Sequence, residues 1–139
     1  MTLLLKSAII IDPNSPFHLK QKDIYIENDF IKAIEDEITS KADKQIKLDN
    51  LHVSNGWFDS SVSFGEPGFE ERETLKNGLD TAMKSGFTTV VLNPNTNPVI
   101  DHSALIEYVI NNSKTHIVNL LPSGALTEKS ESQHLAELF

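Results

Sequence analysis

The spacing of apolar residues changes character once along the chain, near residue 55. Before that point the apolar runs are short and strand-like. Residues 3–11 are apolar and largely β-branched, and they stop at the turn cluster Asp12-Pro13-Asn14. Residues 23–27 alternate, with Ile24 and Ile26 on one face and Tyr25 on the other. Asn28-Asp29 tolerates positive φ, which predicts a tight hairpin into a strand over residues 30–34. Ile46 with Leu48, and residues 51–53, predict two more short strands. Residues 1–55 therefore read as a small β-rich unit.

From Gly56 onward, strand patterns alternate with helix patterns. Residues 57–64 read as a strand, followed by the loop Gly65-Glu66-Pro67-Gly68. Residues 70–85 carry a helical stripe of Leu75, Leu79, Ala82 and Met83, with Gly86 placed to end the helix. Gly78 inside that stripe costs about 1 kcal/mol relative to alanine. Residues 88–92 form a second strand, and Asn93-Pro94-Asn95-Thr96-Asn97-Pro98 a polar loop. Asp101 is a candidate cap for a helix through residue 112, with Leu105, Tyr108 and Val109 inward. Residues 116–121 form a third strand, stopped by Pro122. Ser130 and Gln133 have capping-box spacing, which predicts a third helix that reaches the end of the chain. Strands separated by helices imply parallel pairing with right-handed crossovers. The fold class is α/β, with residues 1–55 as an N-terminal β-subdomain and residues 56–139 as three βα units, which make either an incomplete barrel or a small open sheet. The chain has 139 residues, whereas a complete (β/α)₈ barrel needs about 250. Functional groups are expected where strands meet the following loops, at residues 61–65, 93–97 and 122–124.

Composition narrows the options. The net charge of −8, from 20 acids and 12 bases with no basic block, argues against a nucleic-acid partner and against anionic lipid. The absence of cysteine excludes disulfides and thiolate metal sites and fits a cytoplasmic location. The apolar start is too short to span a membrane and lacks the features of a secretion signal.

Two stretches carry a specific pattern: Gly56-Trp-Phe-Asp-Ser-Ser-Val-Ser-Phe-Gly-Glu-Pro-Gly-Phe-Glu70, then Gly86-Phe-Thr-Thr-Val-Val-Leu-Asn-Pro-Asn-Thr-Asn-Pro98. Together they resemble the dihydroorotase family of the amidohydrolase superfamily, which is close to allantoinases and dihydropyrimidinases. The family's first strand reads Gly-Phe-Ile-Asp-x-His-x-His-Leu-Arg-x-Pro-Gly, and its second ends in Pro-Asn-Thr-x-Pro. Residues 121–127 are similar to its third strand and following loop, and residues 1–55 to its N-terminal β-subdomain. The resemblance implies a zinc-dependent barrel about three times this length that interconverts carbamoyl aspartate and dihydroorotate in pyrimidine synthesis. It also implies that residues 56–139 are the first three βα units of an incomplete TIM-barrel-like amidohydrolase fold, within the first third of that scaffold.

At the family's paired metal-binding histidines this chain has Ser61 and Ser63. At the family's substrate-binding arginine it has Gly65. Alternate strand residues share a face, so two imidazoles there could grip one ion, but neutral hydroxyls are poor zinc ligands. Glycine supplies no bidentate cation for a carboxylate. Asn95 matches the family's substrate-binding asparagine, and Asp59 the acid before the metal pair. The scaffold residues Pro67, Gly68, Pro94 and Pro98 are present. The expectation is a dihydroorotase-like protein without catalytic residues or metal in this chain, although the family uses zinc.

The remaining candidates have plainer readings. His18, His52, His102, His116 and His134 are not spaced as ligand pairs on a strand or helix; His102 and His116 read as surface or satisfied polar groups. Ser61 and Ser63 lack a neighbouring base in sequence, so they read as inert pocket lining. Asn93 and Asn95 either brace their loop through backbone bonds or touch a ligand. Glu66, Glu70, Glu71 and Glu73 suit the start of a helix. Three functions stay open. The first is a metal-deficient structural or regulatory relative, such as a partner of aspartate carbamoyltransferase. The second is a segment of an active zinc amidohydrolase whose ligands lie beyond residue 139. The third is a stand-alone binding module whose last strand edge needs a partner or self-association.

Overall fold

The computed structural model describes residues 1–138, which divide by Cα packing into two units, Met1–Asn55 and a second that begins at Gly56. The first unit is a five-stranded sheet built around β1 (Thr2–Ile11). β2 (Gln21–Glu27) pairs with it antiparallel, and β3 (Phe30–Glu35) pairs antiparallel with β2. β4 (Lys44–Lys47) and β5 (His52–Ser54) lie parallel to successive stretches of β1. Asn28 and Asp29 have φ of 48° and 68°, the conformation that a two-residue hairpin needs to match strand twist.

A bulge interrupts β1 between Leu5 and Ala8, where Ser7 has φ 57°. The buried carboxylate of Asp23 fills it. Its Oδ1 accepts the Ser7 N–H at 2.8 Å, and its Oδ2 accepts the Ile38 N–H at 2.8 Å and the ammonium of Lys6. Burial pushes the Asp23 pKa up, but the Lys6 and backbone donors outweigh it and hold the carboxyl below its ordinary value.

The second unit is a parallel sheet of β6 (Trp57–Val62), β7 (Phe87–Leu92) and β8 (Asn119–Pro122), in that order. α1 (Leu75–Lys84) joins the first pair of strands and α2 (Ser103–Ser113) the second. Phe64, Leu75, Leu79, Val90, Leu92, Ile100, Val109, Val118 and Leu120 form the core. Gly78 has a packing reason: a Cβ there would lie 2.4 Å from the Phe64 ring, so the glycine lets that ring seat against α1. Met83 and Tyr108, expected inward, are exposed.

Three helix expectations need correction. α1 begins at Leu75 rather than at residue 70. The intervening chain folds back instead, with the N–H groups of Gly65 and Glu66 both donating to the Glu73 carbonyl. Thr74 is the N-cap, accepting the Asn77 N–H at 3.2 Å. Asp101 does not cap α2. His102 holds the N-cap position without a side-chain bond, and Asp101 accepts the Lys129 N–H at 2.8 Å. That bond holds the Asp101 carboxyl below its usual range.

No helix starts at Ser130 and Gln133. Residues Glu128–Ser130 make one 3₁₀ turn, and Lys129, Ser130 and Ser132 have φ near 50–61°. Thr127 bridges to Leu135, and the Thr127 hydroxyl accepts the Ser132 N–H. A helix nucleus fixes several residues for one hydrogen bond. The Thr127 side chain bonding to nearby backbone, with Asp101 reaching the Lys129 N–H from 28 residues away, makes a competing arrangement, and it is the one formed.

Candidate functional site

Ser61 is the penultimate residue of β6, and Ser63 follows the strand's end. Asn93 follows β7 directly, its N–H bonded to the Val62 carbonyl at 2.9 Å. Parallel pairing thus brings the ends of two neighbouring strands together, and four neutral side chains meet there. The Asn93 amide nitrogen donates to Ser61 Oγ at 3.0 Å and to Ser63 Oγ at 3.2 Å. The Asn95 amide nitrogen donates to Ser63 Oγ at 3.0 Å. The Ser61 hydroxyl faces Asn93 Oδ1 at 3.5 Å. Ser61, Ser63 and Asn95 are exposed and Asn93 is half-buried, so the cluster is reachable from solvent.

Ser61, Ser63 and Asn95 therefore meet around Asn93, while Gly65 stands in the loop beyond, and the asparagine side chains bond to the serines rather than to backbone. Asn93 is the hub of the cluster. Its role was hidden in the sequence because nothing there shows that residue 93 lies across from both 61 and 63; only the strand pairing does.

Asp59 Oδ1 accepts the Ser61 N–H at 2.9 Å, which holds the strand end. Gly65 is buried in the loop beyond. Its N–H donates to the Glu73 carbonyl at 2.9 Å, and its own carbonyl accepts the Phe69 N–H at 2.8 Å. A Cβ at this position would lie 1.9 Å from the Phe69 carbonyl oxygen. The loop is thus closed around a residue without a side chain. The chain's only arginine, Arg72, lies further along, its guanidinium 4.8 Å from the centre of the Phe69 ring. The neighbouring loop interlocks with this one: Asn97 donates its N–H to the Pro67 carbonyl at 3.0 Å, and Gly68, at φ 95°, sits where a Cβ would strike the Asn97 carbonyl.

Among the acids, Glu66 has a definite structural role. Its Oε2 accepts the Leu75 N–H at 2.8 Å, the first backbone donor of α1, and its Oε1 accepts the Tyr108 hydroxyl at 2.8 Å. The hydrogen bond to Glu66, with burial and the nearby acids adding to it, pushes the Tyr108 pKa up to about 12. Glu70 Oε1 accepts the Gly68 N–H at 2.8 Å, and that bond keeps its carboxyl below the ordinary range. His116 bridges two elements: Nε2 faces Asp80 Oδ1 at 3.2 Å, and Nδ1 accepts the Val118 N–H at 3.0 Å. His102 stays beside Asp101, at 3.0 Å.

The donor set does not fit zinc. The side chains that converge are two hydroxyls and two carboxamides, whereas protein zinc sites use Cys, His, Asp and Glu. Among the described residues, no group of three or more such residues is placed to hold a metal ion. None of their helices is long and apolar enough to cross a membrane.

This parallel βα architecture, with its polar residues at the strand ends, is a fold shared with larger solved enzymes. The L-hydantoinase (dihydropyrimidinase) of Arthrobacter aurescens superposes with a TM-score of 0.71 at 17% identity, over 90% of this chain and 28% of that one. Sequence gives the family. The Dihydro-orotase-like family profile matches residues 52–139, and the chain belongs to that family. It is 33% identical over 139 residues to the dihydroorotase of Ruminiclostridium cellulolyticum, across 99% of this chain and 32% of that protein. It is 38% identical over 139 residues to the dihydroorotase of Elusimicrobium minutum, across 98% of this chain and 32% of that protein. The chain spans about a third of the length of these curated relatives.

Proposed function

We propose that the chain is a dihydroorotase-like segment, tied to pyrimidine biosynthesis by its family, whose β6 and β7 strand ends do not support metal-assisted hydrolysis of a cyclic amide. The observation that carries this reading is the neutral cluster in which Ser61 and Ser63, at the positions where the family resemblance places metal ligands, and Asn95, at its substrate position, are joined by Asn93. Lowering the pKa of a water near neutrality takes a bound ion's charge, and four uncharged groups offer nothing comparable. The loop around Gly65 adds to the case: no cation stands there for a ligand carboxylate, and the backbone leaves no room for one. In this reading Asn95 is the one family substrate contact retained, no residue is catalytic, and the location is cytoplasmic.

Zinc titration of the purified chain by calorimetry, with interconversion of carbamoyl aspartate and dihydroorotate assayed on the same sample, tests this. The expected result is no stoichiometric zinc and no metal-dependent turnover. One zinc per chain with turnover that chelator abolishes would overturn it.

A second reading is favoured by the exposed sheet. Phe58 and Leu121 are exposed apolar residues on β6 and β8. Parallel sheets are normally covered on both faces, so this supports a structural role in which further protein covers that surface. Aspartate carbamoyltransferase is one candidate partner by family resemblance. Sedimentation velocity over a range of concentrations checks for self-association through the same surface.

A further inference from the structure

We propose that Asn93 is the resident occupant of the space between positions 61 and 63, so that this is a filled site rather than a vacated one. The inference rests on the reading above that Ser61 and Ser63 stand at metal-ligand positions. Both serine oxygens converge on one atom, the Asn93 amide nitrogen, at 3.0 and 3.2 Å. An amide nitrogen carries two hydrogens with partial positive charge. Bridging two oxygens, it takes the place and the polarity of a small cation held by residues 61 and 63.

The hydrogen-bond count explains why the arrangement is self-sufficient. A carboxamide has two N–H donors, and the two serines accept both from Asn93. Ser63 Oγ also accepts the Asn95 amide, which uses both of its lone pairs. An entering cation would meet hydrogens aimed at the oxygens it needs, and it would have to break three bonds to reach them. Backbone fixes the hub in place, because the Asn93 N–H is bonded to the Val62 carbonyl on the adjacent strand. Imidazoles at 61 and 63 would find the Asn93 carboxamide already held between them by that backbone bond, so residue 93 must also give way before an ion can enter.

The test compares Ser61→His/Ser63→His with Ser61→His/Ser63→His/Asn93→Ala, with circular dichroism to confirm folding. Zn²⁺ binding is read by calorimetry, and coordination by the visible absorption of added Co²⁺. The triple variant is expected to bind Zn²⁺ at least about tenfold tighter than the double variant, the scale on which neighbours of a metal ligand alter affinity. Equal affinities would overturn the inference while leaving the proposed function intact. Stoichiometric zinc on the unaltered chain would instead overturn the proposed function.

A second measurement needs no variant. Hydrogen exchange of side-chain amides by NMR is expected to show the Asn93 NH₂ protected relative to that of the exposed Asn111. Equal exchange at the two would likewise overturn the inference.

Discussion

The Tyr108 hydroxyl, on α2, donates to Glu66 Oε1 at 2.8 Å while the other oxygen of Glu66 receives the first N–H of α1. One carboxylate thus joins the loop after β6 to two helices. The bond favours the protonated phenol, so the folded-state pKa of about 12 lies above the ordinary value near 10. The stability it contributes is fully present below about pH 10 and is lost as pH rises toward the folded value. Absorbance titration should show a late phase, above the ordinary tyrosine range, that belongs to Tyr108. Tyr108→Phe should remove that late phase and cost about 0.5 kcal/mol, at the low end for a hydrogen bond because the ring is exposed. A single unshifted phase in the wild type would contradict this arrangement.

Gly65→Ala tests the loop at its tightest point. A methyl would lie 1.9 Å from the Phe69 carbonyl oxygen, so the backbone must move. Chemical denaturation should show a loss of about 3 kcal/mol, the upper range for overpacking. Gly86→Ala is the comparison: nothing lies within 4 Å of its Cβ, and its φ of 89° makes the cost one of backbone conformation instead.

Asp23 should govern acid stability. Its folded pKa is lowered, so its contribution is present above the unfolded value and is lost as pH falls through the folded one. Asp23→Ala should cost about 3 kcal/mol at neutral pH, because Lys6 loses its partner. Asp23→Asn should flatten the acid limb of a stability-versus-pH curve. An unchanged acid limb in that variant would show that another carboxyl sets it.

Thr74→Ala should cost about 1 kcal/mol through loss of the cap on α1, and Thr74→Ser should recover most of it. Thermal unfolding of the two variants side by side checks this.

The strands were largely legible because their signals are local. Alternation marked β2, positive-φ tolerance marked Asn28-Asp29, and the Gly56 and Gly86 stretches marked the strands that follow them. The helix starts were not, because a start depends on which donor finds which acceptor. Residues 70–74 look helical in composition, yet the Glu73 carbonyl is taken by Gly65 and Glu66. Ser130 and Gln133 have the spacing of a cap, yet Asp101 claims the Lys129 N–H from 28 residues away. The site was half visible. Ser61, Ser63 and Gly65 stand out against the family pattern, whereas the part played by Asn93 exists only once β6 and β7 lie side by side.

The crowding at Gly65 bears on how such a protein can change over generations. On an open loop, a charged side chain could arise by a single codon change. Here any side chain at 65 meets the Phe69 carbonyl, so variants are removed by misfolding before a ligand can reward them. Selection for a stable fold alone favours glycine at the position, and a charged side chain there calls for rebuilding residues 65–73 together.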